Sequence, residues 1–435
     1  MGFVLIGLGI TVYLNYPKLN LISGFAAKSL SSGYHIAKHP FSYLEANDND
    51  IPLVRLSSLQ KANNTYVVSS VFGLMPRKAV YRQGLGSVLT NKDYNESTSY
   101  LTPNRSKRKD TLPFPFGNNG KKDSIFSKVD YIQLDKALAY AFHDNKNQKT
   151  RTVLIAYKNQ IIAENYVAGF TAKTPVLGWS MTKSILATLY GVMDYQNKSS
   201  LEEHPFVNAI DKDKGIITLN HLLRMQSGLD WNEDYTTISD VTKMLFLEQD
   251  MTLSQANKSV VKKQGTVWNY SSGTSNFLSG YLRSKFNSHQ EYLDYPYSSL
   301  IDKIGMHSML LEADLKGNYV ASSYGWANTR DWAKFGLLYL NNGLWNGERI
   351  FSDTWVNYVT TPTQNSDGVY GAHFWLNTGG KFPNVPRDMY SANGFQGQYV
   401  FIIPSKNLVV VRTGLAENPD FDVDFFLSEV CKAIK

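Results

Sequence analysis

Cysteine is almost absent from this sequence, since Cys431 is the only one among 435 residues. A single thiol excludes an internal disulfide, a four-cysteine zinc site and a cysteine-ligated iron–sulfur cluster. Neither sign of charge dominates, because 44 Lys and Arg face 37 Asp and Glu, a net charge of +7. Residues 105–128 hold seven basic and two acidic side chains, and so carry +5 of that charge. The positive surplus is therefore local, which indicates a basic loop and argues against a nucleic-acid partner.

Several motifs of common catalytic and ligand-binding sites are also missing. The sequence contains no Gly-x-Ser-x-Gly elbow, no His-Glu-x-x-His pair, no Walker loop and no Gly-x-Gly-x-x-Gly. His35 and His39 are four residues apart, but Pro40 follows them directly. We therefore expect no metal site there and no zinc-dependent hydrolase.

The N-terminus begins with an uncharged apolar run of 12 residues, Phe3–Leu14. A membrane-spanning helix needs ~20 such residues, whereas the apolar core of a secretion signal has ~7–15. The run therefore predicts a signal or N-terminal anchor over residues 1–17. It also predicts export to the cell envelope and membrane association through the N-terminus. No Lys or Arg precedes the run and no Ala-x-Ala site follows it, so a buried strand or helix is the alternative.

The composition of the chain changes near residue 124. Residues 91–123 are rich in Asn, Ser, Pro, Gly and Lys, which is typical of a loop or linker. We therefore assign residues 18–123 to an N-terminal extension and linker, and residues 124–435 to the main domain. Apolar stretches such as Val67–Met75 indicate that the extension packs against other parts of the protein.

The main domain has strand patterns at both ends and helical patterns between them. Helices are predicted at 130–143, at Phe421–Ile434 and over most of 180–360. Strands are predicted in two pairs: Val153–Tyr157 with Ile161–Val167, and Gln398–Ile403 with Leu408–Arg412. This order favours an α+β fold, with one antiparallel sheet closed by the two ends of the domain and an all-helical subdomain inserted between the strands.

The pattern Ser-x-x-Lys occurs four times, beginning at Ser58, Ser106, Ser180 and Ser259. Only Ser180 follows a Gly-Trp pair and opens a strongly periodic apolar helix. A serine in this place is ordinarily an N-cap. However, residues three apart on a helix face the same way, so Lys183 can reach the hydroxyl of Ser180.

This spacing suits a nucleophile and its base. A hydroxyl is a poor nucleophile until a base takes its proton, and lysine can act as that base only when it is neutral. Lowering a lysine pKa from ~10.4 to ~7 costs about 4–5 kcal/mol. Burial and a positive helix N-terminus both act in that direction. Ser180 and Lys183 are therefore the candidate nucleophile and base.

Two later segments carry further candidates. Tyr270 lies among small polar residues in Gly265–Gly273, where either a proton relay or a core aromatic residue fits. The segment Asn393–Gln398 precedes the strand Tyr399–Ile403, and Gly394 permits close backbone approach to a substrate. The N–H of Phe395 could then join that of Ser180 in an oxyanion hole. A turn or bulge at the start of the strand is the alternative.

In this order and at these separations, the three segments resemble the serine β-lactamase and penicillin-binding-protein superfamily. The match is closest to its class C-like branch of esterases, D-aminopeptidases and 6-aminohexanoate-dimer hydrolases. The resemblance extends over about 150–435 and includes 222–230, 324–336 and 342–347. It implies the β-lactamase/transpeptidase fold and a serine hydrolase that needs no metal or organic cofactor. It also implies an acyl-enzyme on Ser180, with Lys183 as base and Tyr270 relaying a proton to the leaving group.

Two positions depart from the pattern of this superfamily. Its third motif usually begins with Lys or His, but here reads Ala392-Asn393-Gly394, and the usual Asn of its second motif is Ser272. The missing cation removes a common anchor for the carboxylate of β-lactams and D-Ala-D-Ala peptides. We therefore expect a small-molecule ester or simple amide substrate, bound with the help of Ser272, Asn393 and Gly394. A β-lactamase or D-alanyl carboxypeptidase and a non-catalytic penicillin-binding-like sensor are the alternatives.

Overall fold

The computed structural model describes residues 2–92, 94–95, 97–106, 111–117, 119–122, 124–206, 211–416 and 420–435, and the side chains of α1 from Tyr16 onward. Within these ranges, no helix combines the length and the hydropathy needed to cross a bilayer. The signal or anchor over residues 1–17 stays a prediction.

The N-terminal extension consists of a long helix packed on a small antiparallel sheet. Its helices are α1 (Gly2–His35) and α2 (Phe41–Ala46). Its strands are β1 (Ser57–Ala62), β2 (Tyr66–Val71), β3 (Leu74–Arg82) and β4 (Gly86–Leu89), paired in that order. Leu30 of α1, Leu44 of α2 and Val67 of β2 are buried together. The extension therefore has a small core of its own.

Buried charged contacts fix the extension on the rest of the protein. Glu312 is buried in the main domain and forms an ion pair with Lys28 of α1. The same carboxylate accepts hydrogen bonds from Ser32 Oγ (2.8 Å) and from the backbone N–H of Ser87 (2.9 Å). One side chain thus binds both the helix and the sheet of the extension. Because an unpaired buried carboxylate is costly, these contacts hold the two parts together.

The main domain contains the remaining elements. Its helices are α3 (Tyr131–Phe142), α4 (Asn145–Gln148), α5 (Met181–Tyr195), α6 (Lys212–Gly215), α7 (Leu219–Leu223), α8 (Asp240–Leu247), α9 (Leu253–Ala256), α10 (Ser272–Arg283), α11 (His289–Pro296), α12 (Thr329–Leu340), α13 (Asp353–Thr360) and α14 (Val423–Lys432). Its strands are β5 (Thr150–Tyr157), β6 (Gln160–Tyr166), β7 (Val176–Leu177), β8 (Leu310–Leu311), β9 (Gly325–Ala327), β10 (Leu344–Trp345), β11 (Glu348–Arg349), β12 (Trp375–Leu376), β13 (Tyr390–Gly394), β14 (Gln398–Ile403) and β15 (Leu408–Gly414).

The central sheet is antiparallel, with six strands in the order β12-β13-β14-β15-β5-β6. Successive side chains of a strand point to opposite faces, and both faces here are buried. On β5, Leu154 and Ala156 pack against the core that contains α5, whereas Val153 and Ile155 pack against α3 and α14. Helices on both faces therefore hold the sheet, and α5, which carries Lys183 and directly follows Ser180, packs against β13 and β14.

The secondary structure predicted for the main domain is confirmed in outline. Both predicted strand pairs form, and the first and last strands of the domain pair as β5 and β15, which closes one sheet. The helices α5 to α13 lie between β6 and β12 in sequence, as predicted, but the insertion is not all-helical, because it also contains the short strands β7 to β11. Before β14, Tyr390–Gly394 is itself a strand and Phe395–Gly397 is the turn of a hairpin, so the turn expected as an alternative at the start of this strand is present.

Candidate active site

Ser180 lies immediately before the first residue of α5, but its side chain does not cap the helix. The residue before it, Trp179, has a φ of 46°, in the left-handed region that non-glycine residues rarely adopt. Such strain persists only where the surrounding structure imposes it, and it is common at functional sites. The ordinary N-cap alternative does not apply to Ser180, and its hydroxyl is available for another role.

Lys183 is buried one turn along α5 and its ammonium nitrogen lies among three acceptors. Nζ is 3.0 Å from Ser180 Oγ, 2.9 Å from Ser272 Oγ and 2.9 Å from the carbonyl oxygen of Ser322. Burial lowers the pKa of Lys183 to about 8, although the negative charge of Glu233 acts in the opposite direction. Lys183 can therefore exist as a neutral amine near neutral pH, as a general base must.

Glu233 completes this arrangement, and the sequence analysis missed it. Its carboxylate accepts hydrogen bonds from the Ser272 hydroxyl and, at 2.9 Å, from the Ser272 backbone N–H. A neutral lysine has two N–H groups and one lone pair. The Ser272 hydroxyl donates its hydrogen bond to Glu233. The Ser272 oxygen therefore accepts a hydrogen bond from Lys183. With the Ser322 carbonyl as the second acceptor, the lone pair of Lys183 is left facing Ser180.

Tyr270 packs its ring directly against this lysine. Lys183 Nζ lies 4.8 Å from the centre of the Tyr270 ring, and Trp375 contacts the same ring with a centroid distance of 5.4 Å. Burial and the charge of Glu233 raise the pKa of Tyr270, while a hydrogen bond with Ser180 lowers it. The phenol therefore keeps its proton at neutral pH. The two pKa values are pushed in opposite directions, which is the pattern expected if Lys183 is the base and Tyr270 the acid.

Gly394 brings the end of β13 into contact with the residues before Ser180. A Cβ on Gly394 would lie 2.1 Å from the carbonyl oxygen of Gly178, so no other residue fits here without displacement. The close approach predicted for this glycine is therefore to the protein's own backbone. Neither the Ser180 nor the Phe395 amide N–H, both in the described part of the chain, donates a hydrogen bond to another residue. These are the two donors predicted for an oxyanion hole.

The other predicted binding residues lie on the same strand end or beside the lysine. Asn393 is partly exposed, and its Oδ1 atom is buried without a hydrogen-bond partner. Ala392, where the superfamily usually has a cation, is buried. Arg412 comes from the adjacent part of the sheet, but its guanidinium donates to the carbonyl of Gly397, at 2.8 Å, within the hairpin turn. It therefore does not replace the missing cation.

Aromatic rings line the other side of the catalytic centre. Trp179 contacts Phe395 edge to face, with a centroid distance of 5.7 Å, and Phe395 stacks on Tyr235 at the same distance. Phe25 of α1 stacks on Trp179 at 6.1 Å and contacts Phe246 of α8 at 5.4 Å. The extension therefore takes part in forming the surroundings of Ser180. Phe25 and Tyr235 were not predicted as site residues, since nothing in their local sequence marks them as near the site.

A model of the β-lactamase family matches residues 142–425 of this chain. Among solved structures, the chain is similar to a protein assigned as a 6-aminohexanoate-dimer hydrolase from Bacillus anthracis. The TM-score is 0.55 and the identity 18%, and the match covers 66% of this chain and 78% of that chain. A family VIII carboxylesterase gives a TM-score of 0.54 and 15% identity, with 72% of this chain and 98% of that chain covered.

A penicillin-binding-protein homologue from Caulobacter crescentus is also similar, with a TM-score of 0.54 and 12% identity, over 72% of this chain and 99% of that chain. No curated protein matches the sequence. At identities this low, structural similarity establishes only the fold. The similarity confirms the predicted β-lactamase/transpeptidase-like α+β architecture. The family match spans well over half of the chain. The chain therefore belongs to the β-lactamase family, within the superfamily of serine β-lactamases and penicillin-binding proteins.

Proposed function

We propose that this protein is a serine hydrolase that cleaves an ester or a simple amide through an acyl-enzyme on Ser180. Membership in the β-lactamase family and the likeness to esterase and hydrolase structures support hydrolysis in general. One observation carries the finer proposal. A buried lysine with a lowered pKa lies within hydrogen-bond distance of a serine hydroxyl that does not cap its helix.

The reaction begins when neutral Lys183 takes the proton of Ser180 and Oγ forms a bond to the substrate carbonyl carbon. The carbonyl oxygen gains negative charge and accepts hydrogen bonds from the amides of Ser180 and Phe395. As the bond to the leaving group breaks, Tyr270 donates its proton to the departing oxygen or nitrogen, and the Lys183 ammonium supplies the replacement proton. Water then attacks the acyl-enzyme by the same route and releases the acid.

The arrangement favours uncharged substrates over β-lactams and D-alanyl peptides. The position of the usual carboxylate-binding cation is occupied by buried Ala392. Lys28 and Arg151, two cations near Trp179, are paired with Glu312 and Asp48. A carboxylate on the substrate therefore lacks the partner usual in this superfamily, whereas the carbonyl of an ester has both oxyanion donors.

The test is acylation of the purified protein. A fluorophosphonate or a p-nitrophenyl ester should label Ser180, and mass spectrometry should find the adduct on the peptide that begins near Gly178. Ser180→Ala should lose at least ~10³-fold of the esterase activity, whereas Ser259→Ala, in another Ser-x-x-Lys pattern, should retain it. Equal activity in Ser180→Ala would refute the proposal. Faster hydrolysis of a chromogenic cephalosporin than of any ester would favour a β-lactamase instead.

We also propose that the protein is exported to the cell envelope and associates with the membrane through its N-terminus. The apolar run Phe3–Leu14 supports this. Fractionation of cells that express the full chain should place it in the envelope. Recovery of all the protein in the cytosol would contradict the proposal.

A further inference from the structure

An apolar cleft lies next to the catalytic centre, and the extension forms half of it. Leu21, Ile22 and Phe25 of α1 line one side, and Trp179, Phe246 and Phe395 line the other. Its volume is about 190 Å³. We call this space the extension cleft. An apolar cavity of about 150 Å³ is large enough to hold a benzene molecule, so the extension cleft can hold a sizeable hydrocarbon group.

The extension cleft is continuous with the site through residues that belong to both. Trp179 precedes Ser180, and Phe395 provides the second oxyanion N–H, yet the side chains of both line the cleft. Tyr235 lines it too, while its hydroxyl lies 3.2 Å from Glu233 and 3.5 Å from Ser272 Oγ. A carbonyl group held by the two amides would therefore lie at the edge of the cleft.

The position of the proton donor decides which part of a substrate enters the cleft. A carbonyl carbon at Ser180 carries an acyl group on one side and a leaving group on the other. The leaving group must lie next to Tyr270, which protonates it. Neither Tyr270 nor Lys183, both described residues, lines the extension cleft. The group that faces the cleft is therefore the acyl group.

The walls of the cleft favour an uncharged acyl group and carry backbone strain. Among the described residues that line it, Lys18 alone has a charged side chain. Leu53, in the loop after α2, has a φ of 71°, and Trp179 also has a positive φ. Leu53 lines the cleft while remaining 49% exposed. An exposed leucine in a strained backbone conformation at a cleft indicates a functional role for the loop.

We propose that the extension cleft is the acyl-binding pocket, and that this enzyme prefers esters or amides of hydrophobic carboxylic acids of medium chain length. The proposal rests on the acyl-enzyme at Ser180 described above. It makes the N-terminal extension a determinant of specificity. Burying one additional methylene contributes about 0.8 kcal/mol, so each methylene that enters the cleft should raise kcat/KM about fourfold.

The experiment compares p-nitrophenyl acetate, butyrate, hexanoate and octanoate, which share one leaving group. With the full chain, kcat/KM should rise from acetate to octanoate by at least about tenfold. Ile22→Trp should fill the cleft and lower the ratio of kcat/KM for octanoate to kcat/KM for acetate at least about tenfold. Ile132→Trp is the matched control, because Ile132 is 75% exposed on α3, and it should behave as wild type.

The outcomes separate this proposal from the one on which it rests. If Ser180→Ala abolishes acetate hydrolysis but wild type shows no preference for longer acyl chains, the acyl pocket is refuted and the serine hydrolase stands. If Ile22→Trp keeps the chain-length preference of wild type, the extension does not form the pocket. If Ser180→Ala is as active as wild type on every ester, the underlying hydrolase assignment fails instead.

Discussion

The two walls of the active-site cleft differ in origin and in chemistry. One wall comes from the β-lactamase-like domain and holds Ser180, Lys183, Tyr270 and the end of β13, with hydrogen bonds of 2.9–3.0 Å around the lysine. The other wall comes in large part from the N-terminal extension and is made mainly of aliphatic and aromatic side chains, with Lys18 as its charged residue among those described. The first wall is suited to making and breaking bonds, whereas the second is suited to selecting what reaches them.

If the proposed function is right, the difference separates the residues that carry out the reaction from those that select the substrate. The polar wall depends on hydrogen-bond distances that a small displacement would destroy, and its residues lie at or just before the starts of α5 and α10 and at the end of β13. The apolar wall acts through burial, which tolerates changes in shape better than hydrogen bonding does. An extension that docks on the domain can therefore alter substrate preference and leave the chemistry intact. The following variants test this separation.

The largest effect is expected from Lys183→Ala, which removes the base from the polar wall. Activity on both p-nitrophenyl acetate and octanoate should fall ~10²–10⁴-fold, because general base catalysis contributes an amount of that order. The control is Lys262→Ala, which removes the exposed lysine of another Ser-x-x-Lys pattern. Steady-state kinetics with both esters is the measurement, and retention of full activity by Lys183→Ala would show that lysine is not the base.

Gly394→Ala should have the next largest effect, since the added Cβ would lie 2.1 Å from the Gly178 carbonyl oxygen. Relieving this clash must separate the Phe395 amide from Ser180, and losing one oxyanion donor costs ~10²–10³-fold in kcat. Gly215→Ala meets nothing within 4 Å and should leave kcat unchanged. A Gly394→Ala variant with wild-type kcat would remove Phe395 from the proposed oxyanion hole.

Lys28→Met tests the apolar wall by weakening the attachment of the N-terminal extension to the main domain. It leaves the Glu312 carboxylate buried without its cation, and breaking a buried pair costs about 3–5 kcal/mol. We expect a lower unfolding temperature and an octanoate preference reduced about tenfold, with acetate hydrolysis close to wild type. Lys303→Met, which breaks a largely exposed pair with Glu348, should change neither measurement. Equal losses on both esters would show that the extension supports the catalytic wall as well.

The smallest change in rate, but a distinctive one, is expected from Glu233→Gln. Burial lowers the pKa of Lys183 to about 8 and the charge of Glu233 raises it, so removing that charge should lower the pKa further. The rising limb of the profile of kcat/KM against pH reports the fraction of Lys183 that is neutral. This limb should therefore move to lower pH. Asp234→Asn, which removes an exposed neighbouring charge, should leave the limb near pH 8. A shift of the limb to higher pH in Glu233→Gln would contradict the assignment.

The polar wall could be predicted from the sequence in part, because its residues belong to short patterns on single elements. Ser180 and Lys183 are three apart on one helix, so their proximity follows from helix geometry. Tyr270 and Phe395 lie far from them in sequence, so their local patterns left a proton relay or a core residue, and an oxyanion donor or a turn, as open alternatives, and the resemblance to a family favoured the catalytic roles. Glu233 was not predicted, because an acidic residue in a loop that also contains Asp230 and Asp234 gives no indication of what it will face after folding.

The sequence alone determined the strand and helix patterns of the main domain and the spacing of the serine and lysine. These depend on local periodicity, which neighbouring residues in the chain specify. Only the tertiary structure decided that Phe25 packs on Trp179 and that Lys28 reaches Glu312, 284 residues away. Such contacts depend on the complementarity of two separately folded surfaces. The pairing of distant segments therefore determines the apolar wall, and the proposed acyl preference with it.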